Sequence, residues 1–363
     1  MECIFGDIRL KHSYYHCACC GASQMPWDAA LRLGKRRVTA GAEEVIALAG
    51  LLTSFGQAAD TTLMKLTGIR VSESTVRRVT EDAGEELAER LAAKETFGPP
   101  ESWEWQRDAQ GKTCAYASLD HVSVPQQGPH GAKAESRMAA VAMIYNPQSE
   151  HDERQHPRGG CPVRFLAGLY DFDQLTVELR RQAAHIDWDE AEQQLAISDA
   201  GSGLEDFQRK AFPLATSMLD FFHASEHVTP LAGACHPGDA AASAALTTQW
   251  CHQLKHEGGA ALLAQWEQLD TEGWSDCRSE VYREQTQYFR NHQHRMDYPR
   301  YLANGWQIGS GPVESGCKRL VTQRLKGAGM RWKERGTNTM CHLRALLLSH
   351  PDQWDAYWTP QQA

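Results

Sequence analysis

Thr113-Cys114-Ala115-Tyr116-Ala117-Ser118-Leu119-Asp120 and Gln194-Leu195-Ala196-Ile197-Ser198-Asp199 decide how this chain is read. Each is a short apolar run closed by an aspartate, the pattern of a buried strand that ends in a polar turn. Between and around them the pattern repeats. A second strand is expected over Arg137 to Tyr145 and a third over Arg164 to Tyr170. Asp173 should cap a helix through Leu175, Leu179 and Ala183. A helix with Leu204, Phe207 and Ala211 should follow Asp199, and Ser217 to Phe222 reads as a fifth strand. Three strands, a helix, then two strands separated by a helix is the order of an α/β (α+β) RNase H-like core.

Outward from that core the pattern turns helical. Thr39 should cap a helix to Leu52, and Phe55 to Leu66 carries apolar residues at helical spacing. Thr67-Gly68 breaks it, and Ser72 or Ser74 should cap a third helix that presents Arg77 and Arg78. Helix, glycine turn, capped helix is a helix-turn-helix pattern, although a plain helical bundle reads the same way. Residues 230–305 are helical again and read as an insertion. Pro312 suits the first turn of the next helix, where a missing N–H costs nothing. The expected organisation is a cysteine-bearing segment (1–37), an all-α region (38–100), a core in two pieces (101–229 and 306–350) and the insertion (230–305).

Composition limits the choices. Among 363 residues, 42% are hydrophobic and 23% charged, which excludes a disordered chain, a collagen and a membrane bundle. No apolar run approaches the ~20 residues that span a bilayer. Eleven cysteines without an apparent secretory leader suit reduced thiols in a cytoplasmic setting. Cys17 and Cys20 form one C-x-x-C knuckle, half of what a structural Zn²⁺ needs; free thiols on a loop fit equally well.

Net charge is −9, yet it is unevenly spread. Residues 101–229 hold 11 Lys and Arg against 20 Asp and Glu, whereas residues 315–344 hold eight bases against Glu334 alone. That strip includes Lys318, Arg324, Lys326 and Arg331, and an acidic centre beside a basic strip suits an enzyme that holds cations and grips a polyanion. Asp120 and Asp199 sit at the C-terminal ends of two expected strands, and Glu314 falls in the first turn of a helix that can pack back on the sheet. Three carboxylates from three elements are hard oxygen donors for two Mg²⁺ ions, and such a pair promotes phosphodiester cleavage.

Four blocks resemble those of bacterial insertion-sequence DDE transposases, the ISKra-type group in particular. They are Ser118-Leu119-Asp120, Ile197-Ser198-Asp199-Ala200-Gly201-Ser202-Gly203, Leu219-Asp220-Phe221-Phe222-His223-Ala224-Ser225-Glu226-His227 and Gly309-Ser310-Gly311-Pro312-Val313-Glu314-Ser315-Gly316-Cys317-Lys318. The resemblance runs from about Tyr14 to Leu348. It implies Asp120, Asp199 and Glu314 as the catalytic carboxylates, two Mg²⁺ or Mn²⁺ ions, and cleavage with strand transfer at insertion-sequence ends. It further implies binding of terminal inverted repeats in double-stranded DNA and a homo-oligomer in the synaptic complex. Asp220 and His223 are similar to an accessory Asp-x-x-His element. The resemblance also implies a longer region ahead of Tyr14, so the chain reads as a shortened copy. Two rivals stand beside it. His223, Glu226 and His227 match H-x-x-E-H, the pattern of an inverted zinc metallopeptidase, and a catalytically dead DNA-binding protein would keep the helix-turn-helix and the basic strip.

Overall fold

Five strands form the main sheet: β1 (Thr113–Gln127), β2 (Lys133–Tyr145), β3 (Val163–Gly168), β4 (Gln193–Ser198) and β5 (Thr216–Leu219). Their spatial order is β5-β4-β1-β2-β3, with the short strand Gln106–Arg107 pairing at the start of β1. β4 and β5 run parallel to β1, while β2 and β3 are antiparallel to their neighbours. The computed structural model describes residues 2–3, 6–7, 11, 13–26, 38–147, 162–350 and 353–359.

The sheet is covered on both faces, as its nearly continuous apolar strands require. One face packs against α4 (Phe172–Ala184), α5 (Leu204–Ala211) and the indoles of Trp103, Trp105 and Trp188. Alternation along β1 sends Ala115, Ala117 and Leu119 to that side and Tyr116, Val122 and Val124 to the other.

Two strand ends differ from expectation. β1 does not stop at Asp120: its parallel pairing with β4 ends at Ser118, but its antiparallel pairing with β2 continues to Gln127. β5 stops at Leu219, because the Asp220 side chain caps the next helix by accepting the His223 N–H. Phe221 and Phe222 are therefore helical. The cap of α4 is Asp171, two residues earlier than expected, accepting from the Gln174 N–H at 2.8 Å.

The helices ahead of the sheet are α1 (Ala40–Leu52), capped by Thr39, then α2, then α3 (Glu73–Ala92), capped by Ser72. α2 is one continuous helix made of Phe55–Gln57, a π-helical Ala58–Leu63 and Met64–Leu66. These helices have their own apolar centre around Ile46, Leu63, Ile69, Val76 and Val79. They are also joined to the core. Gly84 on α3 packs so closely on Thr339 that a Cβ there would collide with it, and the Tyr357 hydroxyl donates to Ala83 O at 2.9 Å.

Between β5 and the last part of the core lie α6 (Phe221–Glu226), α7 (Val228–Cys235), α8 (Ala240–Glu257), α9 (Gly259–Trp266), α10 (Asp276–His292) and α11 (Tyr298–Ala303). Trp250, Trp266 and Phe289 are buried among them. α12 (Gly311–Cys317) has Pro312 in its first turn and continues as a π-helical Lys318–Thr322 and Gln323–Leu325. α13 (Glu334–Leu348) and α14 (Gln353–Trp358) close the second face.

Candidate active site

The parallel register sets the site. Ser118 pairs with Ile197, so Asp120 and Asp199 stand level two residues beyond it. Leu219 pairs with Ser198, so Asp220 stands level with Asp199. Adjacent strands lie ~4.8 Å apart, which puts three aspartates in a row across the middle of β1 and the C-terminal ends of β4 and β5. Side-chain alternation places the row on the face that carries α12 and the helical insertion.

Each carboxylate in the row has a different environment. Asp120 is half-buried; its Oδ1 accepts the His121 N–H at 2.6 Å and its Oδ2 accepts the Cys317 thiol at 3.4 Å. Asp199 is half-buried, and its Oδ1 accepts the Gly201 N–H at 2.8 Å in a tight turn. Asp220 is fully buried and both its oxygens accept backbone N–H groups, from His223 and from Ser310. Glu314 is exposed and its Oε1 accepts the Ser310 hydroxyl at 3.0 Å. Ser310 thus links the buried aspartate of β5 to the exposed glutamate of α12.

Neighbouring groups register these charges. Burial pushes the Cys317 thiol well above its usual range, and the Asp120 and Glu314 charges push it the same way. Burial lowers His121, while Asp120 and Asp199 act in the opposite sense. Burial also raises the Tyr288 hydroxyl on α10, where Asp199 and Asp220 are among the charges it feels.

Asp120, Asp199 and Glu314 are the residues expected to close into a metal-bridging set. Among the described residues no three His, Cys, Asp or Glu side chains stand close enough together to hold a metal ion. In kind the donors suit Mg²⁺ or Mn²⁺. Two half-buried carboxylates stand level on one face, and Asp199 Oδ2 and Glu314 Oε2 have no hydrogen-bond partner among the described residues.

Among the described residues the H-x-x-E-H side chains do not gather into a group that could hold a metal ion. His227 Nδ1 is 2.8 Å from Gln285 Oε1, and its ring stacks on Tyr288 at 3.5 Å. His223 Nδ1 faces Glu226 Oε2 at 3.6 Å. The Asp220-x-x-His223 element is a helix cap, with the carboxylate bound to the His223 backbone and the imidazole left half-exposed.

Arg295 is a residue that sequence reading missed. It sits in the turn after α10, is 1% exposed, and reaches the ends of β4 and β5. Its Nη2 donates to Ser198 Oγ at 2.9 Å and to Met218 O at 3.2 Å. The nearby Tyr298 hydroxyl donates to Leu219 O at 3.2 Å. Together they fix the strand ends that carry Asp199 and Asp220. One arginine among five in a segment with more acids than bases gives no local signal of such a role.

The basic strip divides. Arg324 is not on the surface: it is 3% exposed, its Nε donates to Gly50 O at 2.9 Å, and its guanidinium lies over Phe55 and Trp332. Burial lowers it to about 10. Its assignment to DNA is therefore corrected: polarisable rings and a carbonyl, not phosphates, surround it. Arg344 is likewise interior, donating to Leu320 O and Leu51 O, and Arg335 pairs with Glu85. Lys318, Arg319, Lys326, Arg331 and Lys333 are exposed, as are Arg77 and Arg78 on α3.

Cys17 and Cys20 lie exposed at the turn of a small hairpin, Tyr15–His16 with Ser23–Gln24. Hydrogen bonds from Cys20 and Cys19 lower the Cys17 thiol to about 7. No further ligand joins the two among the described residues. No helix among them is long and apolar enough to cross a membrane. No protein-family model matches the chain, and no curated protein matches it.

Proposed function

We propose that this chain is a DNA transposase of the DDE type, with an RNase H-like core, that cleaves and joins DNA at the ends of an insertion sequence. The single observation that carries the reading is the level placement of Asp120 and Asp199 on adjacent parallel strands, on the face to which α12 brings Glu314. Neighbouring half-buried carboxylates suit metal-assisted chemistry on a phosphodiester better than they suit a structural role.

In this reading Asp120, Asp199 and Glu314 are the residues that would hold two Mg²⁺ or Mn²⁺ ions. Bound there, the ions would make the attacking hydroxyl more acidic and neutralise charge on the leaving oxygen. The protein's own part is positioning. Cys317 steadies the Asp120 carboxylate, Ser310 steadies Glu314, and Asp220 with Arg295 fixes the strand ends beneath them. In cleavage water adds to phosphorus, the bridging P–O bond breaks, and the leaving oxygen takes up a proton as a 3′-hydroxyl. In strand transfer that 3′-hydroxyl displaces the equivalent oxygen of a target strand, so one P–O bond forms as one breaks.

Lys318, Lys326 and Arg331 are assigned to phosphates near this site, and Arg77 and Arg78 to duplex held by the helix-turn-helix. Terminal inverted repeats as the recognised DNA, a synaptic homo-oligomer and a cytoplasmic, nucleoid-associated location belong to the same proposal. The test is a nicking assay on a duplex carrying the element's own end, with Mg²⁺ and with EDTA. Mg²⁺-dependent nicks that Glu314→Gln abolishes support it. Binding without nicks at any metal concentration would favour the inactive DNA-binding alternative.

A further inference from the structure

Phe222 stands out on this face. It is 65% exposed, although Phe221 beside it is tucked edge-on against Tyr298, with ring centroids 5.2 Å apart. A single exposed phenylalanine is ordinary on a protein surface; this one is rigidly mounted beside the acidic row. It is the second residue of α6, two positions after Asp220. The edge of Phe221 supports it at 5.6 Å and 73°. Its ring also lies against Gly309, where an added Cβ would come within 2.9 Å of Phe222 Cε2.

Two hydrogen bonds fix that arrangement. The Phe221 N–H donates to Ile308 O at 2.9 Å, and the Ser310 N–H donates to Asp220 Oδ2. The start of α6 and the turn that leads to Glu314 are therefore one unit, and the ring is part of its outer surface. A flat apolar ring, 65% exposed and held by Gly309 and Phe221, can offer its π-face to that of a nucleobase. Every base has such a face, so the contact would be indifferent to sequence.

We propose that Phe222 is a stacking platform for a nucleobase of the strand bound at the acidic row, and so a positioning residue. The inference rests on the DNA reading above and adds a contact to the base where that reading invokes only phosphates and metal. Phosphate contacts set the register of a strand along a surface, whereas a stacked base also fixes its rotation there.

The test uses the full chain in EDTA and two single-stranded probes of about 15 nucleotides, long enough to cover one binding surface. One is oligothymidylate, and the other has the same backbone with every base absent. Their charge is identical, so a difference in affinity reports bases alone. The native chain should bind the thymidylate about tenfold more tightly, and Phe222→Ala should reduce that preference towards one. Phe222→Tyr should keep it and Phe222→Leu, apolar but not planar, should lose it. Because the ring is exposed, all three variants should melt with the native chain. A full preference retained by Phe222→Ala, or no preference in the native chain, overturns the stacking role while leaving phosphate binding intact. No binding of either probe at low salt overturns this proposal, while the duplex nicking assay decides the DNA reading separately.

Discussion

Cys317 gives its thiol hydrogen to Asp120 Oδ2 at 3.4 Å, tying helix α12 to the central strand across most of the core sequence. Burial keeps that thiol protonated, so it remains a donor. Cys317→Ser should preserve the contact, since a hydroxyl is also a donor. Cys317→Ala should release the carboxylate, lower stability by about 1 kcal/mol and slow Mg²⁺-dependent nicking with little effect on DNA affinity. Thermal melting and a nicking time course check both; equal rates for Ala and Ser would show that the thiol does not position Asp120.

Glu314→Gln removes one negative oxygen and no phosphate contact. Nicking should fall below detection, while the affinity for a duplex carrying the element's end changes less than threefold, a shift of under ~0.7 kcal/mol. Nicking at the native rate would remove Glu314 from the mechanism. The same substitution separates chemistry from binding more cleanly than Asp220→Asn. Asp220 accepts two buried N–H groups, so an amide there must leave one of them facing an N–H₂. Asp220→Asn should therefore lower the melting temperature as well as the rate.

Much of the layout was legible because hydrophobic period speaks directly for strands and helices. The strand and helix order from Thr113 to Leu219, the Thr39 and Ser72 caps and the helices between β5 and α12 all follow from local pattern. Strand ends were harder. Asp120 reads as a terminator, yet β1 continues because β2, distant in sequence, goes on pairing with it. Asp199 and Asp220 look alike in sequence, but only Asp220 is buried and consumed by backbone donors. Charge counting also failed for Arg324 and Arg344. A guanidinium on a basic strip reads as surface until the fold surrounds it with carbonyls and rings. Arg295 was invisible for the same reason: its partners are a hydroxyl, a side-chain amide oxygen and a backbone carbonyl on three elements.

That division of the basic strip can be measured. Arg324→Ala should cost about 2–4 kcal/mol, since it leaves Gly50 O without its donor and removes packing from Phe55 and Trp332. Lys326→Ala with Arg331→Ala should hardly move the melting temperature. It should weaken duplex binding at every sequence and make the slope of log affinity against log salt shallower by ~1.8, for two lost phosphate contacts. The same change is expected for Arg77→Ala with Arg78→Ala. An unchanged slope would mean that the pair does not touch phosphate.

His342 on α13 supplies a pH dependence remote from the acidic row. Its Nδ1 is cut off from solvent without a hydrogen-bond partner, and its ring lies 5.4 Å from that of Tyr170. Burial lowers its pKa from 6.5 to about 4. Between those values the unfolded chain binds a proton there and the folded chain does not, so stability rises with pH across the window. It is fully present above pH 6.5 and is lost as the pH falls towards 4. The difference is at most ~3 kcal/mol, and less where water reaches the ring edge. Other carboxylates and histidines titrate in the same range, so the informative quantity is the difference between the native chain and His342→Leu. At pH 7 the two should be of similar stability in urea. At pH 4.5 the native chain should have lost up to ~2.7 kcal/mol more than the variant. Parallel curves from pH 7 to 4.5 would mean that His342 takes up its proton as readily in the folded chain as in the unfolded one.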